Sequence, residues 1–171
     1  MSLDAILIAG ANGSGKTTFA RQFLPVEYPD AEFLNSDEIQ REDVAFAHRV
    51  AAGREFLRRL SDLEQRRRSL AIEITLSSRM YVKRLRRWGG LGYRRSLHFI
   101  ELPSADYAVQ RVAGRVAAGG HNVPEADVRR RFERGLLLFQ EAYKPLVDEW
   151  YHWFSDERGL RLVDHDENSQ R

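Results

Sequence analysis

Cysteine is absent from this chain of 171 residues. Disulfides and thiolate metal sites are therefore excluded, and the absence fits a cytoplasmic protein. No apolar run approaches the length needed to cross a bilayer, so no membrane contact is expected. Met1-Ser-Leu-Asp4 leads directly into an apolar segment and leaves no room for a signal peptide. Charge of one sign is also scarce. With 27 basic and 25 acidic residues the net charge is only +2, so the molecule as a whole is not a polycation. Internal repeats, low-complexity stretches and long linkers are missing, and one domain over residues 1–171 is expected. The hydrophobic fraction of 43% is enough for that domain to bury a core.

Short apolar runs alternate with longer stretches of helical period. Strands are expected at Ala5–Ala9, Glu32–Asn35, Leu70–Leu76, Ser96–Leu102 and Leu160–Asp164. Helices are expected near Thr17–Phe23, Asp43–Arg67, Arg79–Trp88, Ala105–Ala118 and Glu125–Trp153, the last broken at Pro145. This alternation predicts an α/β fold with a parallel sheet and helices on both faces. The aromatic cluster Trp150–Phe154 reads as core packing, with a partner surface as the other possibility.

Gly10-Ala-Asn-Gly-Ser-Gly-Lys16-Thr17 matches the phosphate-loop pattern G-x-x-x-x-G-K-[ST] without a mismatch. It lies between the first strand and the first helix, where backbone N–H groups and a helix N-terminus together hold an anion. Gly10, Ala11, Asn12, Gly13, Ser14, Gly15, Lys16, Thr17 and Thr18 are the expected ATP-binding residues. Lys16 would reach the outer phosphates, and the Thr17 hydroxyl would hold Mg²⁺.

In open parallel sheets the ligand sits at the carboxyl ends of the strands. Asp37 follows the second strand and is a candidate general base for transfer to a hydroxyl. It could equally cap the next helix, although Ser36 is the more natural cap. Glu73 sits among apolar neighbours in the third strand, so it needs a hydroxyl, a cation or a hydrated metal beside it. Thr75 shares its face, and Ser77 and Ser78 add hydroxyls at the strand end. Arg111 and Arg115 share one helix face. Gly119-Gly120-His121 then breaks the chain before a helix carrying Arg129, Arg130 and Arg131. A lid over about residues 111–134 would carry guanidinium groups to the transferring phosphate, and only one or two of the three adjacent arginines can reach it. The bland alternative is a helical hairpin with solvated arginines. His121 is read as a lid or structural residue.

With these residues in place, the chain resembles the zeta-toxin family of P-loop kinases, in its short single-domain branch. The resemblance runs from Ile6 to about Trp150. It rests on the phosphate loop, Phe33–Ile39, Ala52–Arg54, Ile72–Ser77, and above all the run Arg111-Val-Ala-Gly-Arg-Val-Ala-Ala-Gly-Gly-His-Asn-Val-Pro124. It implies a three-layer α/β/α kinase fold with a five-stranded parallel sheet and a helical lid. It also implies ATP-dependent phosphorylation of a hydroxyl on a nucleotide-sugar such as UDP-N-acetylglucosamine, and an antitoxin protein as a possible partner. By this resemblance Asp37 is the base, Glu73 and Thr75 hold the acceptor, and Arg111, Arg115, Arg130 or Arg131 neutralise the transferring group. The chain departs from the family pattern at Ile74, at Ser78 and along Asp37–Glu42.

Three rivals remain. A kinase for another acceptor, such as an antibiotic or nucleoside, would share the sheet, loop and lid. A polynucleotide 5′-kinase would need a basic groove with stacking aromatics, and the basic runs here carry few aromatics, which disfavours nucleic acid. A non-catalytic switch would bind ATP and Mg²⁺ and transfer nothing.

Overall fold

A computed structural model describes residues 3–42, 48–120 and 122–167. The apolar run at the N-terminus becomes β1 (Asp4–Gly10), and Ala5 through Ala9 are fully buried. Strands this apolar on both faces belong in the middle of a parallel sheet. β1 lies there, flanked by β3 (Leu70–Ile74) and β4 (Arg94–Glu101). With β2 (Glu32–Leu34), β5 (Glu149–Asp156) and β6 (Gly159–Glu167), the sheet order is β2-β3-β1-β4-β5-β6. This is the α/β, mostly parallel sheet that the alternating pattern predicts.

Two corrections concern the strands. The sheet has six strands rather than five, and the segment around Leu160–Asp164 is β6, which runs antiparallel to β5. The fifth parallel strand is β5, inside a stretch expected to be helical. The helical period extends only through α6 (Glu125–Leu138), a π-turn at Phe139–Tyr143 and one 3₁₀ turn at Lys144–Leu146 that contains Pro145. Beyond the proline the aromatic residues alternate across the sheet. The Trp150 and His152 rings meet Phe139 on one face, and Tyr151 and Trp153 meet His98 on the other. Bulky aromatics suit a two-residue period as well as a helical one, so composition alone did not separate the two readings.

Helices cover both faces. The first, α1 (Lys16–Glu27), packs Phe19, Ala20 and Leu24 on Ile6 and Ile8. The opposite face receives α3 (Arg49–Gln65) and α4 (Val82–Gly90), whose Phe56, Leu60, Leu85 and Trp88 join Ala5, Leu7 and Leu97. A short helix, α2 (Ser36–Glu42), follows β2, ahead of the expected helix that begins at Asp43. The expected helix over Asp43–Arg67 is seen from Arg49; residues 43–47 lie outside those described. Beyond the carboxyl end of β4, α5 (Ala105–Ala117) and α6 form a hairpin with its own small core of Ala108, Val112, Val123 and Val128 around Leu102. His121, within the turn between them, is outside the described residues.

The sequence also carries two arginine-rich runs, Arg66–Arg68 and Arg84–Arg87, and both are partly structural. Arg84 and Arg87 both reach Glu64, whose side chain is fully buried and also accepts a hydrogen bond from the Trp88 indole at 2.8 Å. Arg66 pairs with Asp62 at 3.1 Å on the surface.

His98, on β4, is 1% exposed. Its Nδ1 accepts a hydrogen bond from the Trp153 indole at 3.3 Å, and its ring stacks on Tyr151. Burial holds its pKa down at about 3, against an ordinary 6.5. The neutral ring therefore stabilises the fold above the unfolded-state pKa, and that stability is lost as pH falls from about 6.5 toward 3. Linkage predicts a loss of about 2 kcal/mol between pH 7 and pH 5 from this residue alone. Urea unfolding at the two pH values, compared between wild type and His98→Leu, checks it. An identical pH dependence in the two proteins rules this contribution out.

Candidate active site

The loop after β1 turns because its glycines allow it. Gly10 has φ 148°, and a Cβ there would stand 2.4 Å from the Ile100 carbonyl oxygen of β4. Gly15 is left-handed, with φ 88°, and opens α1 with no side chain capping the helix. The first amides of α1 therefore remain available to an anion, and the loop's approach to β4 admits no side chain at position 10.

Lys16 is 7% exposed and folds back, with Nζ donating 2.8 Å to the Ala11 carbonyl. Glu73 Oε1 is 4.0 Å away. Burial lowers the lysine pKa, while the attraction of Glu73 and then Asp37 opposes the shift. Burial raises the Glu73 pKa, opposed mainly by Lys16 and by the Thr17 hydrogen bond. Glu73 thus finds the partners that its buried position demands. It accepts hydrogen bonds from the Thr17 hydroxyl at 2.8 Å and from Asn35 Nδ2 at 2.7 Å.

Asn35 has a second task. Its Oδ1 accepts from the Asp37 amide at 2.8 Å and caps the start of α2. This corrects the expectation that Ser36 is the cap. An Asn side chain placed two residues before the amide closes an Asx turn, and the helix begins at Ser36 itself. The Asp37 carboxylate is accordingly left for other work. The sequence reading did not single out Asn35, although a polar residue that ends an apolar strand one position short of a candidate base is the signal that could have found it.

A cavity of about 230 Å³ opens at the carboxyl ends of β1, β2 and β3. Asn12, Lys16, Asp37, Glu73, Thr75, Arg115 and Arg131 all line it. Arg131 reaches the phosphate loop, donating to Asn12 Oδ1 at 3.1 Å. The rest of the wall includes Ser36, Ser77, Ser78, Met80, Tyr81 and Val123, of which Met80, Tyr81 and Val123 were given no role from the sequence. β3 ends at Ile74 rather than Leu76, because Leu76 takes a left-handed φ of 55°. The chain turns away there, and the Thr75 and Ser77 hydroxyls come within 3.0 Å of each other.

Not every expected residue comes to this cavity. Arg111 lines a separate hollow of about 180 Å³ beside Ser14, Gly15, Thr18, Phe19 and Leu160. Arg130 is exposed and donates to Asp127 at 2.6 Å, and it lines neither hollow. Arg129 is held by Asp106 and Glu125 at 2.7 and 2.8 Å.

Among the described residues, no group of three or more His, Asp or Glu side chains could cage a metal ion. A hydroxyl against a carboxylate, as at Thr17 and Glu73, is a pair of oxygen donors of the kind that could hold Mg²⁺ together with phosphate and water. No helix among the described residues is long and apolar enough to cross a membrane.

A family model described as an AAA domain matches residues 6–134. No curated protein sequence matches the chain. Solved structures do. A chain from the PezAT chromosomal toxin–antitoxin system of Streptococcus pneumoniae is similar at TM-score 0.70 and 15% identity, over 96% of this chain and 72% of that one. A chain of the AvrRxo1-ORF1:-ORF2 structure with ATP is similar at TM-score 0.72 and 15% identity, over 98% of this chain and 59% of that one. A gluconokinase from Sinorhizobium meliloti 1021 is similar at TM-score 0.56 and 14% identity, over 90% of this chain and 84% of that one. At these identities the likeness is one of fold, and this chain spans only part of the first two. The fold shared is that of P-loop kinases.

Proposed function

The chain belongs to the AAA domain family, and from that premise we propose that it is an ATP- and Mg²⁺-dependent kinase that phosphorylates a hydroxyl group. One observation carries the reading. A phosphate loop, a carboxylate freed from helix capping and two arginines face a single cavity. The triphosphate would lie along the loop amides, with Lys16, Arg115 and Arg131 around its outer end. Mg²⁺, held by Thr17 with Glu73 behind it, would neutralise phosphate charge. Asp37 takes the proton of the acceptor hydroxyl, whose oxygen attacks the γ-phosphorus. The bond from that phosphorus to the β-phosphate oxygen breaks, and ADP leaves. In this proposal the nucleobase would take the hollow that Arg111 lines together with Thr18 and Leu160. On that placement Arg111 would contact the nucleobase, not the γ-phosphate.

The resemblance to zeta toxins supports a nucleotide-sugar such as UDP-N-acetylglucosamine as acceptor, and likeness to a toxin–antitoxin structure supports an antitoxin-like protein partner. The hydroxyl-rich wall and the gluconokinase fold support a simpler polyol. Incubation with Mg²⁺, ATP and each candidate, read by mass spectrometry, tests the kinase. Phosphorylated product made by wild type and missing with Asp37→Asn supports it. ATP binding with no transfer to any alcohol points to a nucleotide switch.

The two neighbouring arginines give an internal control. Arg131→Ala is expected to lower kcat/KM by roughly 10²–10³-fold, the usual effect of removing one preorganised donor from a transferring group. Arg130→Ala is expected to stay within about twofold, as for an exposed surface pair. Steady-state ADP release from the two variants decides, and equal losses would show that the lid arginines act differently from this assignment.

A further inference from the structure

Resting on the kinase reading, we infer that Tyr143 and Gly135, which line neither hollow, are positioning residues that hold the cavity wall at residues 75–81 in place for the acceptor. That segment needs a hold. β3 ends at Ile74, and Leu76 then takes a left-handed φ of 55°. This is an uncommon conformation for a leucine, and it persists only where the surroundings impose it. Thr75, Ser77, Ser78, Met80 and Tyr81, on either side of the turn, all line the cavity with Asp37. A shift of the turn would therefore move the surface on which an acceptor hydroxyl is presented to Asp37.

The hold comes from α6 and the π-turn that continues it. Tyr143 is fully buried, and its phenol donates to the Ser78 carbonyl at 2.6 Å. Burial raises the pKa of that phenol, and a hydrogen bond with the Tyr81 backbone opposes the rise. One side chain is thus tied to both ends of residues 78–81. The π-turn that delivers it is itself seated on the sheet, where the Phe139 ring stacks on Phe99 of β4 at 4.4 Å. Such turns recur at functional sites. Earlier in the helix, buried Gly135 brings the backbone of α6 against the start of the wall. A Cβ there would stand 3.2 Å from the Thr75 carbonyl oxygen. One turn earlier still, Arg131 donates to Asn12 of the phosphate loop. A single helix and its π-turn therefore meet the loop at Arg131 and the wall at Gly135 and Tyr143. This brace fixes the distance between the transferring phosphate and the acceptor oxygen, and an error of about 1 Å in such a distance can cost roughly 10²-fold in rate.

Tyr143→Phe keeps the buried ring and removes only the hydroxyl. Gly135→Ala presses on the other end of the wall, and alanine favours a helix over glycine, so a loss there does not come from a melted helix. UDP-N-acetylglucosamine and gluconate are each offered with Mg-ATP, and product is read by mass spectrometry. KM is measured for ATP and for the alcohol, because neither value depends on how much of the protein is folded. Each variant is expected to raise the alcohol KM by about tenfold and to keep the ATP KM within about twofold. An unchanged alcohol KM in either variant, whatever happens to kcat, overturns the inference and leaves the kinase reading standing. Equal rises for ATP and alcohol do the same. Bound ATP with no transfer by wild type to either alcohol overturns the inference and the kinase reading together.

Discussion

Lys16→Met is expected to abolish phosphoryl transfer, with turnover down by at least about 10³-fold and ATP binding lost in a fluorescent-analogue titration. The ammonium is the cation carried by the loop itself, and it already points along the loop toward the Ala11 carbonyl. Methionine keeps the length and removes the charge. The same substitution should change thermal stability little, since relief of the buried ammonium opposes the loss of its attraction to Glu73. Burial depresses the lysine pKa, so the folded protein holds this charge at a disadvantage that an apolar side chain removes. Loss of ATP binding with a retained melting temperature separates phosphate recognition from folding. Lys16→Arg should not rescue, because a forked guanidinium does not fit a site only 7% exposed. Wild-type ATP affinity in Lys16→Met would refute the phosphate-loop assignment.

Asp37→Asn is expected to lower kcat by roughly 10²–10⁴-fold and to leave ATP affinity within about twofold. The prediction is clean because Asn35, not Asp37, caps α2, so the helix keeps its cap in the variant. Rapid-quench measurement of a single turnover reads the chemical step directly. Near-normal turnover would place the base elsewhere, with Glu73 next in reach of the cavity. Asn35→Ala should behave differently, since it removes the cap and one hydrogen bond to Glu73 together. It is expected to lose stability by about 1 kcal/mol or more as well as activity.

Much of this arrangement was legible in the sequence. β1, the glycine loop and α1 follow from an apolar run, glycine spacing and a helical period that all agree. Glu73 was traceable because a carboxylate in a buried strand requires partners, and Thr17 and Asn35 supply them. Spacing failed where it needed depth. Arg111 and Arg115 share a helix face, yet one helical turn advances about 5.4 Å. That distance is enough to set them in different hollows, Arg115 with Asp37 and Arg111 with Thr18. Likewise nothing in Arg129-Arg130-Arg131 says which residue meets the loop. The choice belongs to the carboxylates of Asp106, Glu125 and Asp127, which hold the first two. β5 was missed because its strand period is carried by aromatic side chains that also fit a helix. The strand at Leu160–Asp164 was legible, but not its direction, because antiparallel return is a property of the hairpin rather than of either segment.

The central position of β1 has a consequence for biosynthesis. The segment Ala5–Ala9 leaves the ribosome well ahead of its neighbours in the sheet, which begin only at Leu70 and Arg94. At about 5–20 residues per second, the most apolar stretch of the chain stays without its pairing strands for several seconds of elongation. During that interval its backbone edges are open on both sides, and the nascent chain is a natural client for a ribosome-bound chaperone.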